Sequence, residues 1–271
     1  MTLLDVDSSL GVARLTFRAS PGRAPAATPE LMDELEAALE ALGADGAVER
    51  LLLGSDSATA FLVSPPPATI PVQDADLLWE WVRRGRRTLC RLAELPFPTV
   101  ACIEAPAVGA GFELALACSM RVMVRSATAG VGFLPHEGWM VPAWGGSVRL
   151  ARRLGPTLAW ELLRSAALVP SSLALRWGLA DSLAEPGALE SVAREVSARR
   201  PRWPLIDRWL WALPGGADLL IRRLEGRAGP LSGVERMLLD QVRRGLTWPF
   251  DEALEEEGRA LVHLAASRFQ E

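Results

Sequence analysis

The chain has 271 residues, of which 49% are hydrophobic and 23% charged. That apolar share supports a buried core and excludes a disordered polypeptide, and the net charge of -4 excludes a general binder of polyanions. All 29 cationic side chains are arginine. Lysine and tyrosine are absent, so no lysine Schiff base and no tyrosine acid are available.

Residues 2–17 predict two short strands around Ser8-Ser9-Leu10-Gly11, with Val12, Leu15 and Phe17 marking the second. The opening residues meet acids early and have no basic leader, so no signal peptide is expected. No apolar run approaches the ~20 residues of a membrane span. Thr28-Pro29-Glu30 reads as a helix start, with an N-cap hydroxyl, proline at the first helical position and an acid near the positive end. Leu31, Leu35, Leu39 and Leu42 then recur at helical spacing, and Gly43 is expected to stop the run. Leu51-Leu52-Leu53 predicts a buried strand. The stretch 64–71, with Pro65, Pro66 and Pro67 in succession, excludes regular helix and central strand because prolines have no backbone donor.

A helix rich in tryptophan and arginine is predicted over 74–95. Trp79, Trp81, Arg83, Arg84, Arg86 and Arg87 lie on it. In an acidic chain they read as a solvated arginine face over an anchored apolar side rather than as a nucleic-acid surface; contact with phosphates is the alternative use. Residues 99–105 predict a buried strand, a Gly-Ala-Gly turn opens a helix to about residue 117, and 120–125 predict another strand. Strand, helix and strand in that order imply a crossover and an α/β core. After residue 145 the pattern is almost wholly helical: 145–154, 156–167, 171–177, 187–200 and three more helices to the end. Pro201, Pro204, Pro214 and Gly215-Gly216 set the last part off, giving an expected core over 1–195 and a helical region over 196–271.

Cys90, Cys102 and Cys118 are odd in number, widely spaced and set among apolar neighbours, which predicts buried free thiols in a reducing cytoplasm. His136 and His263 are the only histidines, and no Cys/His pair stands at ligand spacing, so no zinc site is expected.

The residues with chemical potential lie in AVGAGFELALAC, 107–118. A dinucleotide fingerprint would want a third glycine and an acid about twenty residues on, and neither is present. The start of a helix still presents unpaired N–H groups that favour negative charge. The Ala110 N–H is placed to bind an oxyanion, and Glu113 lies one turn away to move a proton. The alternative is a structural turn, with Glu113 paired to an arginine such as Arg121.

The segment PTVACIEAPAVGAGFELALACSMRV resembles the strand, turn and helix of the crotonase family, the enoyl-CoA hydratases and isomerases. VPAWGGSVRLARRLGPTLAWELL is similar to that family's I-P-G-x-G-G-T-x-R-L segment, and VPSSLALRWGLADSLAEP to a third. Weaker likeness runs from residue 1 to about 265. The resemblance implies an α/β crotonase-like (ClpP/crotonase) spiral of ββα units with a C-terminal helical region. It also implies an acyl-thioester substrate on CoA or acyl carrier protein, no further cofactor and no metal, and a homotrimer or dimer of trimers.

Carried onto this chain, the family's two oxyanion amides fall on Ala110 and, through FLVSPP in place of F-x-x-G-A-D, on Val63. Gly109 and Gly111 form the turn, and Glu113 falls on the first catalytic glutamate. The second catalytic glutamate is missing. An ungapped count puts Pro135 there, a one-residue slip puts His136 there, and Glu137 is one further on. Hydration of a 2-enoyl thioester usually employs two acids, whereas one suffices for isomerisation. The expected function is thus hydratase/isomerase-like chemistry through an enolate, with single-acid chemistry favoured. The alternatives are decarboxylation of a malonyl-type thioester and a non-catalytic thioester-binding or partner-binding subunit.

Overall fold

The computed structural model describes residues 3–133, 140–197 and 204–269, apart from the side chain of Pro67. Two compact units emerge, interleaved along the chain where the sequence suggested a single division. One comprises 1–70, 83–132 and 168–199; the other comprises 71–82, 133–167 and 200–271.

The first unit is built on a six-stranded sheet. Its strands are β1 (Leu4–Ser9), β2 (Val12–Phe17), β3 (Arg50–Ser55), β4 (Thr99–Ile103), β6 (Met120–Val124) and β9 (Ser182–Ala184), in that spatial order. β1 and β2 are antiparallel, and all other neighbours are parallel. The Leu51-Leu52-Leu53 run is continuous because both faces of a parallel sheet are covered, and all three side chains are buried. Leu52, Val100 and Val122 pack with Leu189, Ala193 and Val196, in and just beyond α7 (Leu189–Glu195).

α1 (Pro29–Ala44) starts where its cap predicts, with the Thr28 hydroxyl accepting from Leu31 N–H. It runs one residue past Gly43, to Ala44, and Gly43 lies close against Leu95, where a larger residue would crowd it. α2 (Ala75–Ala93) carries the arginines, and its residues from Arg83 onward belong to this unit. Arg84, Arg87 and Arg91 bond to Asp33, Glu36 and Glu40, one turn of α1 after another. That ladder gives three arginines of this face partners within the chain.

A second sheet sets the turn of interest. β5 (Ala107–Val108) pairs in parallel with β7 (Gly130–Gly132), which pairs antiparallel with β8 (Val169–Pro170). Bridges from Leu62 to Ala107 and from Val63 to Ala26 extend it. These short strands, and β9, fall below the length at which alternation is legible. α3 (Ala110–Ala117) follows β5 and leads into β6, so the predicted crossover is present. α6 (Ser171–Trp177) precedes β9. The prolines at 65–67 give no strand, only one 3₁₀ turn over Pro67–Thr69.

The second unit is helical: α4 (Gly146–Leu154), α5 (Pro156–Ser165), α8 (Leu205–Trp211), α9 (Gly216–Ala228), α10 (Gly233–Thr247) and α11 (Phe250–Phe269), with the first part of α2. Among the described residues four helices, rather than the three expected, follow residue 203. Gly258 of α11 sits so close to Val82 and Trp79 that a methyl group would collide with Val82. No helix among the described residues is long and apolar enough to cross a membrane.

Of the cysteines, only Cys118 is buried; Cys90 and Cys102 are half-buried, and none is in a disulfide. Burial pushes the Cys102 thiol up to about 12, which makes it a poor nucleophile.

Candidate active site

The turn that opens α3 is dictated by two glycines with different tasks. Gly109 has φ 56°, a conformation that L side chains rarely adopt. Gly111 lies against the backbone of Leu62, where an added Cβ would be 2.0 Å from the carbonyl oxygen. Between them Ala110 needs only its backbone. The segment 61–64 is therefore held directly against the first turn of α3.

That segment is fixed from several sides. Phe61 is buried, stacks edge-on against Phe17 with centroids 5.6 Å apart, and donates its N–H to Pro106 O at 2.9 Å. Val63 donates its N–H to Pro25 O and accepts from Ala27 N–H, both at 3.0 Å. The expectation that the Val63 amide faces a thioester oxygen is corrected here. The parallel bridge to residues 25–27 takes that donor.

The Ala110 N–H donates to the Ser64 hydroxyl, Oγ, at 3.0 Å. Ser64 stands in the sequence as a departure from the family pattern, with Pro65 and Pro66, and not among the expected site residues. The signal was its place at the glycine of F-x-x-G-A-D, where a side chain is new. Glu113, 6% exposed, is buried in the first turn of α3, with its N–H donating to Gly109 O at 3.0 Å. Gly109, Ala110, Gly111, Glu113 and Ser64 thus come together. His136 and Glu137 lie outside the described residues.

The partner suggested for a purely structural Glu113 has a strong attachment of its own. Arg121 donates from Nη2 to Asp181 Oδ2 at 2.8 Å, from Nε to Leu179 O at 2.7 Å, and from Nη1 to Ala115 O and Cys118 O. Asp181 also accepts from Arg121 N–H and returns its own N–H to Arg121 O. This buried pair pins β6 to the chain entering β9. A buried arginine needs such a full set of acceptors.

Chemically, the arrangement offers a helix-start amide capped by a neutral hydroxyl, with a buried carboxyl one turn on. The amide can stabilise negative charge on a carbonyl oxygen, and the carboxyl can exchange a proton with a neighbouring carbon. Among the described residues no three His, Cys, Asp or Glu side chains gather as a metal would require.

The sequence profile of the enoyl-CoA hydratase/isomerase family matches residues 7–201. The chain belongs to that family. A curated relative, the fatty acid oxidation complex subunit alpha of Shewanella amazonensis, is 28% identical over 276 residues. The match covers 95% of this chain and 38% of that protein, so the chain spans well under half of its relative. Among solved structures, an enoyl-CoA hydratase from Mycobacterium avium subsp. paratuberculosis K-10 superposes with a TM-score of 0.66 and 22% identity, covering 99% of this chain and 92% of the other. An enoyl-CoA hydratase/isomerase from Mycobacterium paratuberculosis gives 0.67 and 20%, covering 98% of both chains. These likenesses establish the crotonase fold: an α/β core on a largely parallel sheet with a helical C-terminal part.

Proposed function

We propose that the protein acts on an acyl thioester of CoA or of acyl carrier protein, stabilising an enolate at the Ala110 amide and moving a proton with Glu113. The reading is supported by the Ala110 N–H at a glycine-led helix start, with the buried acid Glu113 in the same turn. The thioester oxygen takes the Ala110 N–H, the α-proton passes to the Glu113 carboxylate, and the resulting enolate is reprotonated at the same or another carbon. A single acid suffices for double-bond migration. Hydration needs a second proton carrier, and His136 or Glu137 is our candidate for it.

A malonyl-type thioester is a second substrate class, since its decarboxylation needs only enolate stabilisation and a proton source. The engagement of Val63 N–H by Pro25 O favours a different reading, a subunit that binds a thioester without turnover. Incubation with enoyl-, 3-hydroxyacyl- and malonyl-type CoA esters, followed by chromatography with mass spectrometry, separates the three, because double-bond migration changes retention without changing mass. Conversion of an enoyl ester supports the first reading and loss of carbon dioxide the second. Binding without any conversion supports the third. Glu113→Gln keeps the side-chain shape and is expected to lower turnover at least ~100-fold, with thioester binding retained.

We also propose a homotrimer or dimer of trimers in a reducing cytoplasm. Exposed Leu205, Ile206, Trp209 and Leu213 on and just after α8 supply apolar surface for subunit contact. A monomer by light scattering at micromolar concentration would contradict it.

A further inference from the structure

We propose that Ser64 is the second oxyanion donor beside Ala110: its hydroxyl caps the Ala110 N–H in the free protein and turns its own proton onto the thioester oxygen when that oxygen arrives. The proposal rests on the thioester reading above and adds a catalytic residue to it.

Three observations lead there. The Val63 N–H already donates to Pro25 O, and Pro65, Pro66 and Pro67 have no N–H to offer. From 63 to 67 the remaining donors are therefore the N–H and O–H of Ser64. Its hydroxyl lies 3.0 Å from the Ala110 nitrogen, within the space where an anion held by that amide would sit. Finally, that oxygen accepts from Ala110 while its own proton has no acceptor among the described residues. A hydroxyl both donates and accepts, and it moves between staggered rotamers without disturbing the backbone.

The second unit shows what a permanent ligand of a helix start looks like. Ser147 in the first turn of α4 donates its N–H and O–H to Glu257 Oε1 at 2.7 and 2.5 Å. Thr157 in the first turn of α5 donates its N–H and O–H to Asp207 at 3.0 and 2.6 Å. Both ligands are carboxyl groups of buried acids, each held by two donors. Ser64 is neutral, half-buried and held by one. A thioester oxygen gaining negative charge displaces such a ligand and then benefits from its proton.

The test uses the full chain, butyryl-CoA, and S-butyl-CoA, a thioether that lacks the carbonyl oxygen. Ser64→Ala is expected to weaken butyryl-CoA about tenfold, the scale of one lost hydrogen bond to a charged or polarised group, and to leave S-butyl-CoA unchanged. The infrared carbonyl stretch of bound, carbonyl-labelled butyryl-CoA is expected at lower frequency in the parent than in Ser64→Ala. A hydroxyl that only props the loop would shift both ligands alike, and that result overturns the proposal. So does a variant that binds the thioester as tightly as the parent, or more tightly, with an unmoved stretch. A parent with no preference for thioester over thioether overturns the thioester reading itself, and this proposal with it.

Discussion

The start of α3 and the starts of α4 and α5 carry the same local physics to opposite ends. α4 and α5 in the second unit and α3 in the first all begin directly after a glycine, with first-turn amides that favour negative charge. In the second unit that demand is met from within the chain, by Glu257 at Ser147 and Asp207 at Thr157. In the first, Ala110 N–H donates to the hydroxyl of Ser64, and the acid of that turn, Glu113, belongs to the same helix. A helix start with its own buried carboxyl group is finished structure. One held by a single neutral oxygen keeps its capacity for an incoming anion.

The comparison breaks most visibly at Glu257. Glu257→Ala removes the acceptor of two buried donors on Ser147 and opens a void, and it is expected to cost on the order of 3 kcal/mol in urea denaturation. Butyryl-CoA affinity, measured below the unfolding transition, is expected to stay at the parental value. A large loss of affinity with intact stability would mean that this helix start is functional too.

Gly111→Ala is the reciprocal change. The new Cβ would lie 2.0 Å from Leu62 O, a backbone atom with no easy retreat, so segment 61–64 has to move away from α3. Overpacking of this kind costs about 1–3 kcal/mol, less than Glu257→Ala, yet thioester affinity is expected to fall because Ser64 leaves Ala110. Retained affinity would separate the Leu62 contact from the site.

The smallest effect is one of pH. Burial pushes the Glu257 carboxyl above the ordinary carboxylate range, while the Ser147 donors pull it back. The folded state then keeps a proton that the unfolded chain releases. The contribution of this group to stability therefore falls as pH rises from the ordinary carboxylate range towards the folded value. Glu257→Gln stays neutral and keeps an oxygen for Ser147. Urea denaturation is expected to give equal stabilities at about pH 4 and a more stable variant at about pH 8. A parent that gains on the variant across that interval would reverse the sign.

Much of this architecture is legible in the sequence, because its longer elements have local causes. Thr28-Pro29-Glu30 starts α1, the leucine run marks β3, and Gly109-Ala110-Gly111 opens α3. What escapes is non-local. β7, β8 and β9 have two or three residues each and exist through their neighbours. The Arg121–Asp181 pair spans sixty positions, and Ser147–Glu257 spans 110. Family resemblance carried Val63 to its place in the loop but could not see that Pro25 takes its N–H. It marked Ser64 as a departure without showing that the hydroxyl would settle on Ala110.

The central claim is that Glu113 moves a proton at a carbon made acidic by the Ala110 site, and it can be tested without knowing the natural acyl chain. Butyryl-CoA held with the protein in deuterium oxide has only its α-hydrogens activated by an enolate, and mass spectrometry counts their exchange. The account predicts deuteration by the parent and at least ~100-fold slower deuteration by Glu113→Gln at equal butyryl-CoA occupancy. Exchange by Glu113→Gln at the parental rate, with the ligand bound, would contradict it and return Glu113 to a structural role.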